Sequence, residues 1–171
     1  MRWRVLLLLV LALALLAARY TVQPQPPAGS CHARGHGLYS LPDHRCTPGL
    51  ADPRVTPGRL AATICRSGYT RTVRPPESIT EPEKLASMRA YGDHGSARGY
   101  EYDHLISLEL GGSANDRRNL WPEPGASPNR KDRLENLLHR RVCDGRVGLG
   151  AAQRMIATDW VAAYRRLIPR G

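Results

Sequence analysis

Fourteen uninterrupted apolar residues, Val5 to Ala18, stand near the start of this chain behind Arg2 and Arg4, and they constrain what the remainder can become. As a helix the run is about 21 Å long at 1.5 Å per residue, short of the roughly 30 Å of hydrocarbon in a bilayer. A basic lead, an apolar centre and the proline-rich stretch Gln23 to Pro27 that follows form the pattern of a secretory signal. Residues 1–19 are therefore expected to be a signal peptide or a short anchor. Leu16 stands where a small residue would favour cutting after Ala18, so both forms stay open. Cleavage gives a secreted or periplasmic protein; retention gives a membrane-anchored one. A transient membrane association is expected through this segment alone.

The run also removes apolar residues from the folded part. With 171 residues and no Phe, the chain has room for one modest domain with a core of Leu, Ile, Val, Ala, Tyr and two Trp, which excludes a multi-domain enzyme. Lys and Arg number 25 against 15 Asp and Glu, a net charge of +10, and every base except Lys84 and Lys131 is an arginine. Removing Arg2, Arg4 and Arg19, with no acid among them, leaves +7. Guanidinium forks bind phosphate bidentately, so a polyanionic partner is expected.

An exported chain matures in an oxidising compartment, which gives Cys31, Cys46, Cys65 and Cys143 a meaning as disulfides. None of them forms a Cys-x-x-Cys pair, so a zinc knuckle is disfavoured. Three pairings are open; Cys31 with Cys46 and Cys65 with Cys143 is preferred, the second tying an early helix to a late one.

Residues 20–40 are rich in Pro, Gly and His without apolar period and read as a flexible linker. His32, His36 and His44 are irregularly spaced, so they receive no role. Residues 41–171 are expected to form the folded domain. Pro57 and Gly68 bracket a short helix, and Arg71 to Pro76 reads as extended. Thr80 and Glu83 match a capping box for a helix carrying Leu85, Met88 and Tyr91. Tyr100 to Leu110 alternates like a strand, Gly111 to Asp116 is a turn, and Asn119 to Trp121 is a short returning strand. Helices over Asn129 to Val142 and Leu149 to Leu167 complete an α+β, helix-rich domain. On the first of these, Asn129, Asp132, Glu135, Asn136 and His139 fall on one face and Leu134, Leu137, Leu138 and Val142 on the other.

Asp-His pairs, Gly-Gly turns and polar helix faces are ordinary features taken singly. In this order and spacing they are specific. Glu101-Tyr102-Asp103-His104-Leu105-Ile106-Ser107-Leu108-Glu109-Leu110-Gly111-Gly112, followed by Asn119-Leu120-Trp121-Pro122 and Lys131-Asp132-Arg133-Leu134-Glu135, resembles the HNH endonucleases with a ββα-metal finger, in a secreted, bacterial-type branch. The resemblance is strongest from Tyr100 to His139.

It implies a finger at about 100–142 and a metal-dependent endonuclease cutting DNA phosphodiesters with little sequence specificity, DNA being favoured over RNA. His104 would be the general base and Asp103 a metal ligand. Asn119 would hold the loop and orient the His104 backbone. The third ligand would be Asn129, with His139 as the alternative. Carboxylate and amide oxygens suit Mg²⁺ or Mn²⁺, whereas a His-rich set would admit Zn²⁺ or Ni²⁺. No small-molecule cofactor is expected, and the protein is expected to be a monomer. Arg98, Arg118, Arg130 and Arg133 lie near the motif as candidate phosphate contacts. The competing reading is an HNH-scaffold protein, weak or inactive in catalysis, that binds nucleic acid or other polyanions outside the cytoplasm.

Overall fold

Two short strands pair antiparallel and a helix follows them, and the other elements pack around that unit. The computed structural model describes residues 21–169; the apolar leader lies outside the described residues. In chain order the elements are α1 (Tyr69–Val73), α2 (Glu77–Tyr91), β1 (Tyr100–His104), β2 (Leu120–Pro124), α3 (Arg130–Cys143) and α4 (Leu149–Leu167), with short 3₁₀ turns between several of them. Tyr100 faces Pro124 and His104 faces Leu120 across the sheet. The domain is α+β.

Capping chemistry explains where α3 begins. Asn129 accepts from the backbone N–H groups of Lys131 and Asp132, and the Asp132 carboxylate accepts in return from the Asn129 N–H at 2.7 Å, which is a complete capping box. α4 bends at Asp159, whose φ is −161°. Its carboxylate accepts from the Ala162 N–H at 2.8 Å and so caps a second helical segment within the single helix that the sequence suggests. Leu105, Leu110, Trp121, Leu134, Leu138, Ile156 and Trp160 are the fully enclosed apolar residues at the centre.

Cys31–Cys46 and Cys65–Cys143 are both disulfides, the preferred pairing. On loop entropy the 78-residue span is worth about 4–5 kcal/mol and the 15-residue span about 3. Two bridges suit an oxidising compartment.

Several local expectations are corrected. Pro57–Ala62 is a 3₁₀ turn, and Gly68, with φ of 77°, opens α1 instead of stopping a helix. Residues 71–73 are thus helical; the chain is extended only from Arg74 (ψ 129°), because Pro75 disfavours the α conformation before it. α2 starts at Glu77, three residues ahead of Thr80, so Thr80 and Glu83 lie inside the helix and cap nothing. Glu83 is instead fully buried, while Leu85 is 46% exposed. β1 ends at His104: the Leu105 N–H still donates to the Asn119 main-chain carbonyl at 2.8 Å, but the N–H and carbonyl of Ile106 are taken by the Asn119 side chain. Residues 21–31, expected as a loose linker, lie along the body: Gly29 and Cys31 donate to the α2 carbonyls of Arg89 and Ala90 at 2.9 and 3.0 Å.

Candidate active site

Adjacent residues on a strand point to opposite faces, and Asp103 and His104 obey that rule. Asp103 faces β2 and α3. Its Oδ2 accepts from Lys131 Nζ at 2.7 Å and from Trp121 Nε1 at 3.3 Å. Lys131 Nζ also donates to the His104 carbonyl at 2.8 Å and is ion-paired with Glu135 one helical turn on. On the same side Glu101 sits opposite Glu123, and Asn129 Nδ2 donates to both carboxylates at 3.3 and 3.4 Å.

Four carboxylates thus gather around one ammonium, all five substantially buried. Burial, then the charge of Asp103, pushes Glu101 up to about 7 and Glu123 up to about 9. Asp103 and Glu135 are also raised by burial, with Lys131 opposing the rise. Burial alone would strip the proton from Lys131, but Asp103, Glu135 and Glu123 outweigh it and hold the ammonium charged.

His104 meets burial differently. Its Nε2 lies 2.9 Å from the Ala114 carbonyl. A carbonyl only accepts, so Nε2 carries the hydrogen and Nδ1 keeps the lone pair. Burial, with Arg74 and Lys131 adding to it, lowers the imidazole to about 4, leaving it neutral at pH 7. The side chain lines a cleft of about 350 Å³ together with Tyr100, Glu101, Tyr102, Arg74 and Lys84.

Asn119 holds the turn between these two environments. Fully buried, its Oδ1 accepts from the Ile106 and Leu50 N–H groups at 2.9 and 3.3 Å, and its Nδ2 donates to the carbonyls of Ile106 and Ser113 at 3.0 Å each. The loop is held as expected, although the backbone gripped is that of Ile106, two residues beyond His104. Gly112 is required beside it: a Cβ there would stand 1.7 Å from the Ile106 carbonyl oxygen and 2.7 Å from Asn119 Nδ2.

Asn129 is near the carboxylates but is unsuited to the third-ligand place. Its amide oxygen is committed to the helix cap, and the nitrogen it turns to the acids has no lone pair for a cation. His139 lies about 12 Å along α3 from Lys131, where Nε2 contacts the Ile64 carbonyl at 2.9 Å and Nδ1 stands 3.6 Å from Glu109. It forms, with Cys65 and Cys143, a group whose ligand atoms lie within 4.8 Å of one another. Those sulfurs are joined as a disulfide and are not thiolates.

The four arginines divide as well. Arg98 is exposed with no ion-pair partner among the described residues. Arg118 is bound at 2.7 Å to Asp116. Arg130 stacks over the Tyr39 ring, 4.9 Å from its centroid, and Arg133 donates to the Tyr164 hydroxyl at 3.3 Å.

Lys131, Glu101, Glu123 and Arg74 were not singled out from sequence. Lys131 carried a usable signal: it is one of two lysines in an arginine-dominated chain, and it falls in the register of buried Leu134, Leu138 and Val142. Comparison with known proteins adds nothing to this geometry: no family model matches the chain, and no curated protein or solved structure matches it significantly.

Proposed function

We propose that this chain is an exported, metal-dependent endonuclease in which β1, β2 and α3 act as a ββα-metal finger and His104 is the general base. The observation that carries the reading is the state of His104: neutral, held through Nε2–H by the Ala114 carbonyl, and lining a polar cleft. A neutral imidazole with Nδ1 free takes a proton from water at pH 7, as hydrolysis of a phosphodiester requires. Arg74 and Lys84 are the cations available there to a phosphate, and they stand beside three carboxylates, Glu77, Glu81 and Glu101, whose charge a bound metal ion would have to offset. Asn119 fixes the turn that carries the Ala114 loop.

A hard divalent cation fits the carboxylates gathered at β1, of which Glu101 also lines the His104 cleft. Asp103, Glu101 and Glu123 supply only carboxylate oxygens, which suits Mg²⁺ or Mn²⁺ above Zn²⁺, and the acids that burial raises would give up their protons as the ion binds. Bound there, such an ion would stabilise charge developing on phosphate oxygens. The substrate class follows from the resemblance and the positive charge: nucleic acid, with DNA ahead of RNA and no sequence preference.

One contact favours a second reading. Lys131 Nζ, 2.7 Å from Asp103, already supplies a positive charge to the expected ligand, which suits a scaffold that binds polyanions without cutting them.

Supercoiled DNA decides between the two. The oxidised mature protein is assayed with Mg²⁺, Mn²⁺, Zn²⁺ or EDTA, with His104→Ala alongside. Nicking that EDTA and His104→Ala both abolish establishes the nuclease. Salt-sensitive binding with no product in any metal establishes the polyanion binder, and undiminished cutting by His104→Ala removes the base from its role.

A further inference from the structure

The Ala114 carbonyl that fixes the tautomer of His104 belongs to a four-residue loop, and that loop has three anchors. Ser113 donates to the Leu50 carbonyl at 2.7 Å, and its own carbonyl accepts from Asn119 at 3.0 Å. The third anchor is Asn115, directly after Ala114. Asn115 Nδ2 donates to the Thr21 carbonyl at 2.9 Å, and the Asn115 amide stands close enough to the Glu83 carboxylate to lower it, with Glu83 Oε2 and Asn115 Oδ1 both buried and without a hydrogen-bond partner among the described residues.

Glu83 is where the remaining threads meet. It is fully buried in α2, and its Oε1 accepts from the Gln23 N–H at 2.6 Å. Both neighbours of Asn115 therefore involve residues 21–31, a strap that also reaches the cleft, where Gln25 Nε2 donates to the Tyr102 hydroxyl at 3.3 Å. With Oε2 unpartnered, the buried Glu83 carboxylate depends on the one hydrogen bond that the strap gives it, so strap, Glu83 and the neighbouring Asn115 are expected to hold or loosen together.

We infer that Asn115, clamped between the N-terminal strap and Glu83, is a positioning residue for His104, acting through the Ala114 carbonyl. The inference rests on the reading of His104 as the base. Without the clamp the carbonyl drifts from Nε2, the imidazole samples the opposite tautomer, and the lone pair leaves the nitrogen that must take the proton.

The test uses the full oxidised chain and reads the tautomer directly, by ¹⁵N NMR of the His104 ring, beside steady-state cleavage of DNA. Wild type is expected to show one tautomer with hydrogen on Nε2. Asn115→Ala is expected to show both in exchange, with kcat lower by about tenfold to a hundredfold and KM little changed. Gln23→Pro removes the strap N–H without touching the loop and is expected to shift the ring in the same direction. Glu83→Gln should largely restore the single tautomer that Glu83→Ala loses, because its amide offers a hydrogen to Asn115 Oδ1, a buried atom with no partner. A single Nε2–H tautomer and wild-type kcat in both Asn115→Ala and Gln23→Pro would overturn the inference. Should wild type fail to cut DNA while both variants still mix the tautomers, the nuclease reading falls and the clamp on His104 stands.

Discussion

Asp103 and His104 are neighbours in sequence and are equally hidden, yet the protein solves their burial in opposite ways. On the α3 side the charge of one ammonium is kept: Asp103, Glu101, Glu123 and Glu135 surround Lys131, and burial raises all four acids so that they hold protons more tightly than free carboxyls do. On the cleft side charge is given up: His104 is driven to about 4 and stays neutral. One strand thus separates an environment able to hold a cation from one able to accept a proton. Glu101, on the Asp103 face, also lines the His104 cleft, so the two environments meet at one carboxylate.

The largest expected effect removes the neutral side. His104→Ala should lower DNA cleavage by about 10²–10⁴-fold while circular dichroism and melting stay near wild type. An unfolded variant would show that the ring serves packing first.

Removing the charge at the centre of the other side tests stability. Lys131→Met leaves buried carboxylates uncompensated and should cost about 3–5 kcal/mol in urea unfolding. Adding Asp103→Asn and Glu135→Gln should recover much of that. A mild effect for Lys131→Met alone would mean that the acids are already protonated.

Acid and alkali separate the two sides by sign. Glu123 in the folded chain holds its proton to about pH 9, against an ordinary 4.5. The folded state therefore binds the extra proton between those values, and the stability it contributes is full below 4.5 and lost as pH rises through 9. Glu123→Gln keeps the neutral form throughout, so it should melt like wild type at pH 4.5 and several degrees higher at pH 9. His104 runs the other way: lowered from 6.5 to about 4, it favours the folded state fully above 6.5 and loses that contribution as pH falls toward 4.

The smallest effects belong to the surface. Arg98→Ala should reduce the slope of DNA affinity against salt by about 1. Arg118→Ala should change it less, because Asp116 already engages that guanidinium. Equal slopes for the two variants would place the DNA elsewhere.

Much of this was legible in the chain. Caps and apolar period placed α3 and α4 to within a residue or two, since Asn129, Asp132 and the leucine spacing act locally. Of the three disulfide pairings that the sequence left open, the preferred one is present. What sequence misjudged was set by partners remote in the chain. Glu83 looked like a cap because a Thr stood three residues before it, but it accepts from the Gln23 N–H, sixty residues away. Glu135 was assigned to a wet face, but Lys131 carries it inside. β1 was drawn too long because the alternation continues past His104, whereas Asn119, thirteen residues further on, captures Ile106. The loop that positions His104 left no local signature, since its anchors come from Thr21, Leu50 and Asn119.

Trp121 extends the Asp103 environment in a way that can be seen with light. Its indole N–H donates to the Asp103 carboxylate in the fully buried core, while Trp160, the other tryptophan among the described residues, donates to the Ser40 carbonyl. Indole emission responds to the field of a nearby charge, so the protein carries an intrinsic fluorophore on the residue expected to meet a cation and a second one that serves as an internal reference. Titrating Mg²⁺ or Mn²⁺ while following emission therefore needs no label, and replacing both Trp3 and Trp160 with Phe leaves the reporting indole alone in the signal.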